Sequence, residues 1–216
     1  MSEYKLIGPG IWHELHNEAA LATSLFRYGV FVHTLETIHA AFELVAPPVP
    51  AFSDHLALLK WTWAYHNQVN GSNYPWRDCL KTYGTADQEC DVFCTEEETE
   101  TPIKIVGPGM WFIIHAEGAR VRNSYGHAVY TQHMLERSER FPCGACRGHF
   151  TAYMQAHPLS EVKPNGVDIL HWSFKFHNAV NARLGKNCVT WGEIVQKYCC
   201  VAPPLTGHQR LDGSPK

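Results

Sequence analysis

The residues best suited to chemistry are Cys143 and Cys146, a C-x-x-C pair inside the segment 141–150. Pro142 comes directly before the pair, and the residues after it have a helical pattern. Proline is favoured at the first helical position because its missing N–H is not needed there, so we expect both cysteines in the first turn. The positive end of the helix dipole stabilises a thiolate, lowers the thiol pKa and improves the nucleophile and leaving group. The pair is therefore a candidate redox dithiol.

Two other interpretations of the cysteine pair remain open at this point. The thiols could form a structural disulfide or a buried pair, or they could supply half of a zinc site completed by His149 or His157. The sequence has no second C-x-x-C and no H-x-x-x-H motif to complete such a site. We therefore predict no metal.

The composition is typical of a globular protein with one sizeable core or two small ones. Of the 216 residues, 45% are hydrophobic and 18% charged, and the formal charge of -3 gives no reason to expect nucleic acid or an anionic membrane. No apolar run is long enough to span a membrane, and no signal-type core follows residues 1–5. We therefore expect an intracellular protein without a signal peptide, in which eight cysteines favour redox or metal chemistry over passive disulfides.

Residues 8–83 and 107–198 look like two versions of one unit. Matching residues recur in the same order: 8–12 with 107–111, His16 with His115, 66–70 with 177–181, and Trp76 and Tyr83 with Trp191 and Tyr198. Such an order indicates an internal duplication, with a net deletion of about twelve residues in the first copy. The deletion falls where the second copy has its cysteine pair, and the proline-rich stretch 46–50 stands there instead.

Within each copy the apolar residues recur at helical spacing. The predicted helices are 11–26, 30–45 and 55–69 in the first copy, and 110–121, 125–136, 147–156 and 167–184 in the second. We predict an all-α fold of two repeated bundles, each with four helices and a short fifth, the first being a degenerate pseudo-copy. The predicted division is a pseudo-domain at 1–85, an acidic linker at 86–106, a catalytic domain at 107–200 and a flexible tail at 201–216.

The second copy also has a candidate surface for a flat cofactor. Trp111 and His115 share one side of a predicted helix, while His177 and Asn181 share one side of another, with Asn178 adjacent. Such rings and carboxamides could sandwich and hydrogen-bond a heteroaromatic ring. The same residues could instead form a core of tryptophan and hydrogen-bonded histidine, which these residues alone favour, so both interpretations stay open here.

Phosphate groups of a nucleotide cofactor would need other partners, because the chain has neither a G-x-G-x-x-G nor a P-loop motif. The stretch 107–109, beginning with Gly107, could place backbone N–H groups near a phosphate if it precedes a helix, or it could form a turn. Arg183 and Lys186 are better candidates to bind phosphate charges.

Taken in order, these motifs resemble the Erv/ALR family of FAD-dependent sulfhydryl oxidases. The resemblance covers about 107–198 and lies in Trp111-x-x-x-His115, Phe141-Pro142-Cys143-x-x-Cys146, His177-Asn178-x-Val180-Asn181, Lys186 and Trp191. It implies a helical bundle that holds FAD in its mouth, with the C-x-x-C beside the isoalloxazine ring. The implied cofactor-binding residues are Gly107, Trp111, His115, His177, Asn178, Val180, Asn181, Lys186 and Trp191.

The chain departs from the family pattern in two places. Phe141 replaces the usual tyrosine before the proline, and Phe174 stands where the first cysteine of a structural pair is expected. The duplicated architecture is similar to the sulfhydryl oxidases of baculoviruses and related large DNA viruses. A viral origin would imply a location in the host cytoplasm or nucleus and in the virion.

The resemblance implies an enzyme that forms disulfide bonds in thiol-containing substrate proteins. A substrate dithiol would attack Cys143, and electrons would then pass through Cys146 to FAD and on to molecular oxygen, giving hydrogen peroxide. Arg147 and the helix end would favour the thiolate. A flavin-free thiol-disulfide exchange protein and a non-enzymatic helical scaffold are the alternatives.

Two further expectations concern the linker and the assembly. Cys90 and Cys94 form a C-x-x-x-C pair in the acidic linker, where they could either shuttle electrons from large substrates or close a fixed clasp. The first copy could stand in for the partner of a single-domain homodimer, and a homodimer of two such chains would then use other faces.

Overall fold

The computed structural model describes residues 4–42, 44–84, 103–141 and 143–198. Regular structure within these ranges consists of nine α-helices and one short 3-10 turn, with no β-strand. The helices are α1 (Tyr4–Ala20), α2 (Leu25–Ala41), α3 (His55–Asn70), α4 (Trp76–Tyr83), α5 (Ile103–Ala119), α6 (Ser124–Arg140), α7 (Gly144–Ala156), α8 (Gly166–Arg183) and α9 (Trp191–Tyr198). The predicted all-α fold class is confirmed.

Helix starts are set largely by local capping residues. The side chains of Ser24, Asp54, Asn123 and Asn165 each accept a hydrogen bond from a backbone N–H in the first turn of α2, α3, α6 and α8. Such caps satisfy N–H groups that have no partner within the helix. The α3 helix ends at Gly71, whose φ of 58° lies in the left-handed region.

We group the helices into a first bundle, α1–α4, and a second bundle, α5–α9. The prediction of a fifth helix in each copy is wrong for the described part of the first copy, which has four. Helix α1 packs against α2, α3 and α4, and α5 packs against α6, α8 and α9, while α7 packs on α6. The stretch 44–50 of the first bundle has no helix at the place that α7 takes in the second. One hydrophobic cluster includes Leu15 of α1 together with Ile113 of α5, so the two bundles share buried core.

Helices α1 and α5 cross at very short range through Gly10 and Gly109. A Cβ atom on either glycine would overlap the backbone of the other helix, so only glycine fits at this crossing. The expectation that 107–109 precedes a helix is therefore wrong, because α5 begins at Ile103. In sequence, the glycine and proline of 107–109 suggest a helix boundary. In the structure Gly109 is needed for the contact between the helices, and Pro108 lies inside α5.

Several other predicted boundaries shift. The first two predicted helices, 11–26 and 30–45, are separated earlier than expected, because α1 ends at Ala20 and Ser24 caps the next helix. Residues 103–106, placed in the predicted linker, belong to α5. The remainder of that linker from 86 to 102, with Cys90 and Cys94, and the predicted tail at 201–216 lie outside the described residues. Across the described part of the chain, none of the helices is long and apolar enough to cross a membrane.

Candidate active site

The dithiol lies at the start of α7. Cys143 and Cys146 form a disulfide with their Cα atoms 5.2 Å apart, and both residues are partly exposed. Cys143 is the N-cap of α7, with φ of −162°, and its Sγ accepts a hydrogen bond from the Cys146 N–H at 3.3 Å. The expectation that both cysteines lie inside the first turn is therefore half correct. Cys146 lies in that turn, whereas Cys143 has extended backbone just before it.

The segment that enters the dithiol is held by hydrogen bonds to one carbonyl group. The N–H of Cys143 donates to the carbonyl oxygen of Phe141 at 2.7 Å, and the Arg147 guanidinium donates to the same oxygen at 2.9 Å. Arg147, expected to favour the thiolate, thus binds the backbone that precedes the dithiol. Its positive charge still lies in the turn that carries the two sulfur atoms.

A series of aromatic contacts connects this segment to Trp111. Phe141 packs edge-on against Phe150 at 6.2 Å between ring centroids, and Phe150 lies 4.7 Å from Phe176. Phe176 in turn contacts Trp111 at 5.1 Å. All four rings belong to or pack against one hydrophobic cluster of the second bundle. The dithiol segment and the predicted cofactor surface therefore meet across the same core.

Trp111 stacks on a pair of hydrogen-bonded histidines. Its ring lies 4.1 Å from that of His177, with only 8° between the ring planes. The Nδ1 atom of His177 lies 3.0 Å from Nε2 of His115, and Nδ1 of His115 lies 2.9 Å from Oγ of Ser173. The arrangement joins α5 to α8, as the predicted pairing of the two helices requires.

The protonation of this histidine pair follows from the hydrogen bonds. Ser173 donates its hydroxyl proton to the carbonyl oxygen of Leu170 at 2.8 Å, so its oxygen accepts from Nδ1–H of His115. A neutral His115 then accepts at Nε2 from Nδ1–H of His177. Neutral His177 is left with Nε2 as a hydrogen-bond acceptor.

Electrostatics keep both histidines neutral. Burial, followed by the charges of His177 and Lys197, lowers the pKa of His115 to about 3. Burial, followed by the charges of Lys186 and Lys197, lowers the pKa of His177 to about 4. Two lysines therefore lie close enough to the stacked rings to affect their titration. Sequence reasoning had named Lys186 but had missed Lys197.

The carboxamides behave differently from the expectation. Asn178 donates from Nδ2 to the carbonyl oxygen of Val189 and accepts from its N–H, both at 2.9 Å. Its side chain thus holds the connection between α8 and α9. Asn181 is buried, and its backbone carbonyl oxygen, not its carboxamide, accepts from the N–H of Lys186 at 2.9 Å. Both residues shape the segment that carries Lys186.

The remaining predicted residues lie around this centre. Val180 packs against the core of the second bundle, and Lys186 is exposed. Trp191 packs on His171 at 5.0 Å and on Phe174 at 5.4 Å, with the hydrophobic cluster that both bundles share. Gly107 lies past the first turn of α5, so the argument that it offers a free N–H does not apply.

Two residues of the site were not predicted, although their recurrence in the first copy could have identified them. Ser173 recurs as Thr62 in the first copy, a hydroxyl at the same distance before the repeated histidine. Tyr198, which lies 5.2 Å from His115, recurs as Tyr83. Lys197 had no such signal, because Thr82 stands at its place in the first copy.

In the part of the chain that the structure describes, no group of histidine, cysteine and acidic residues is arranged to hold a metal ion. The fold and the site together define a class: an all-helical redox protein with a C-x-x-C dithiol at a helix N-terminus, connected through a shared aromatic core to stacked tryptophan and neutral histidine. Comparison with known proteins agrees with this description.

Residues 108–199 match the model of the Erv1/Alr family. The FAD-linked sulfhydryl oxidase of one African swine fever virus isolate is 33% identical over 97 residues, which cover 43% of this chain and 78% of the relative. A second isolate gives 33% over 98 residues with the same coverage. A relative from Frog virus 3 is 31% identical over 101 residues, 44% of this chain and 64% of the relative. The chain belongs to the Erv1/Alr family, as its motifs suggested, while the narrower likeness to baculovirus enzymes stays a prediction.

Proposed function

We propose that this protein is an FAD-dependent sulfhydryl oxidase, which oxidises thiol pairs in substrate proteins to disulfides and reduces oxygen to hydrogen peroxide. Family membership supports the activity, and one observation supports its location. Cys143 of the Cys143–Cys146 disulfide caps α7, and Phe141 beside it packs against the same hydrophobic cluster as Trp111, which stacks on neutral His177. The first bundle has no cysteine pair at the matching place.

The chemistry of the residues fits FAD. Trp111 and His177 present flat rings for an aromatic system, and Nε2 of His177 is an acceptor for a ligand N–H or O–H. Lys186 and Lys197 supply positive charge suited to phosphate oxygens. When bound, FAD supplies a two-electron acceptor that side chains lack, and its reoxidation by oxygen.

The assigned cofactor residues fall into two groups. We assign direct contacts to Trp111, His115, His177, Lys186 and Lys197, because the three rings stack on one another and both lysines help to lower the pKa of His177. We assign an indirect role to Asn178, Val180, Asn181 and Trp191, whose contacts hold α8, α9 and the segment between them. For Gly107 the family resemblance is the only support.

In the dithiol reaction we assign the substrate-facing role to Cys143 and the flavin-facing role to Cys146, as the family resemblance implies. A substrate thiolate attacks Sγ of Cys143, the S–S bond breaks, and Cys146 leaves as a thiolate. A second substrate thiolate attacks the substrate sulfur of this mixed disulfide, which releases Cys143 as a thiolate and the substrate as a disulfide. Cys146 lies in the first turn of α7, where the positive end of the helix dipole stabilises a leaving thiolate, while the N–H of Cys146 donates to Sγ of Cys143.

The decisive test is spectroscopic and kinetic together. Purified protein should be yellow, with flavin absorbance near about 450 nm, and it should consume oxygen when given a small dithiol. Colourless protein that still exchanges thiols and disulfides would identify the flavin-free exchange protein instead. Colourless protein without thiol exchange would leave only the scaffold.

A further inference from the structure

The last turn of α6 is held by ion pairs that come from the first bundle. Arg137 donates from Nε to Glu14 of α1 at 3.1 Å, and from its two terminal nitrogens to Glu117 of α5 at 2.7 and 3.0 Å. The preceding residue, Glu136, pairs with Arg27 of α2. Two neighbouring residues of one helix turn are thus anchored to two different helices of the other bundle.

These anchors are buried. Arg137 is 5% exposed, and Glu14 and Glu117 are each 3% exposed. Burial by itself would raise the pKa of Glu117, but the Arg137 guanidinium beside it holds that pKa well below its usual value. Removing one partner of a buried pair leaves the other charge poorly compensated, so the geometry of this group is strongly constrained.

The anchored turn leads directly into the dithiol. Helix α6 ends at Arg140, and the next residue, Phe141, gives its carbonyl oxygen to the N–H of Cys143 and to Arg147. A small cavity of about 30 Å³ lies between the bundles, and its lining includes Glu14, Arg137 and Phe141. Helix α1 of the first bundle therefore approaches the segment that sets the position of Cys143.

From these contacts we infer that the first bundle positions the dithiol of the second, with Glu14 and Arg27 as positioning residues. They fix the end of α6, and through Phe141 they set where the two sulfur atoms lie relative to Trp111 and His177. The inference depends on the proposed function, because it assumes that Cys146 faces a flavin held at that surface. It assigns a task to a bundle that has no dithiol of its own.

The test uses the full chain with FAD bound, in a Cys143→Ser background. If Cys146 faces the flavin as proposed, its thiolate should give a charge-transfer absorbance with oxidised flavin in that protein, and this absorbance should depend on the distance between sulfur and ring. Adding Glu14→Gln or Arg27→Gln should lower this absorbance per bound FAD by about twofold or more, since small displacements of reacting groups have large effects. FAD content should stay the same. With both cysteines intact, Glu14→Gln should lower kcat for a small dithiol while KM changes little.

Arg120→Gln is the matched control. Arg120 also connects the bundles, through a hydrogen bond from Nη1 to the carbonyl oxygen of Thr37 at 3.1 Å, and this bond is made to α2 and not to α6. Its replacement should lower the melting temperature without changing the charge-transfer absorbance. Arg27→Lys, which keeps the charge, should retain most of the absorbance that Arg27→Gln loses.

Three outcomes separate the possibilities. Unchanged absorbance in both Glu14→Gln and Arg27→Gln would overturn the inference and leave those pairs a stabilising role only. Should Glu14→Gln fail to fold, Arg27→Gln decides alone, because the Arg27 and Glu136 side chains are 16% and 11% exposed and tolerate replacement better. Absence of the absorbance in Cys143→Ser itself, with FAD bound, would instead contradict the proposed role of Cys146 and remove this inference with it.

Discussion

The two bundles contain the same relay of a hydroxyl group, two histidines and a tryptophan. In the first bundle Thr62 lies 2.9 Å from Nδ1 of His16, whose Nε2 lies 3.1 Å from Nδ1 of His66. His66 stacks on Trp12 with 4.6 Å between centroids and 5° between planes. The corresponding distances in the second bundle are 2.9, 3.0 and 4.1 Å. This likeness supports the proposed duplication.

The surroundings of the relay differ. Burial alone lowers the pKa of His66 to about 4, whereas for His177 the charges of Lys186 and Lys197 act in addition. Trp12 is 2% exposed, while Trp111 is partly exposed. The first bundle therefore keeps the stacked rings with the tryptophan buried, without the lysine charges that act on His177 and without the dithiol. The relay by itself has a structural role, since both bundles contain it. The proposed chemistry depends on the lysines and the dithiol that only the second bundle adds.

The largest effect should come from removing a thiol of the dithiol, which makes the second bundle resemble the first. Cys146→Ser should reduce oxygen consumption with a dithiol substrate on the order of a thousandfold or more, since Cys146 is the thiol that we propose passes electrons to FAD. FAD should stay bound. Oxygen-electrode measurements and flavin absorbance check this, with Cys188→Ser as control because Cys188 is an exposed free cysteine. Turnover at the wild-type rate in Cys146→Ser would contradict the assignment.

The close contact between α1 and α5 can be tested with two glycines of the stretch 107–109. Gly109→Ala should destabilise the protein by about 3 kcal/mol, because the added Cβ overlaps the backbone of α1 at Gly10. Gly107→Ala is the control, since a Cβ there meets nothing within 4 Å and alanine is the better helix former. Denaturant unfolding measures both. If Gly109→Ala and Gly107→Ala had the same free energy of unfolding, the close crossing would not be the reason for glycine at position 109.

Acid should weaken the relay in both bundles. The pKa of His16 and that of His115 are each lowered to about 3 from 6.5, so the folded state stays neutral while the unfolded state gains a proton. Stability is therefore lost as pH falls below 6.5, by about 2 kcal/mol per residue between about pH 7 and about pH 5. His16→Asn should flatten the pH dependence of the unfolding free energy by that amount. Replacing the exposed His149 serves as control, and the same slope in both variants would disprove the role of His16.

The smallest effect concerns the lysines that distinguish the bundles. Lys197→Thr places in the second bundle the residue found at the matching position of the first, and it should weaken FAD binding by about tenfold. Flavin titration measures the affinity and also the stoichiometry, which we expect to be one FAD per chain. The control is Lys175→Thr, which replaces an exposed lysine on α8 instead of α9. Two FAD per chain would show that the first bundle retains a cofactor site.

The sequence alone determined the features that depend on neighbouring residues. Helix starts follow from Ser24, Asp54, Asn123 and Asn165, each of which caps its own first turn. The dithiol, the pairing of Trp111 and His115, and that of His177 and Asn181 could be predicted because residues three or four apart in a helix share a face. The Cys143 boundary was missed by one residue, since an N-cap and a first-turn residue look alike in sequence.

Only the tertiary structure decided the contacts between distant parts of the chain. Arg137 meets Glu14 across a sequence separation of 123 residues, and Gly10 meets Gly109 where two helices cross. Lys197 reaches the histidine pair from α9, with no matching residue in the first copy to indicate it. Such contacts depend on how helices pack against each other, which local propensity and periodicity do not encode. The local pattern therefore identifies the residues that do the chemistry. Helix packing determines which charges and which helices of the first bundle surround them.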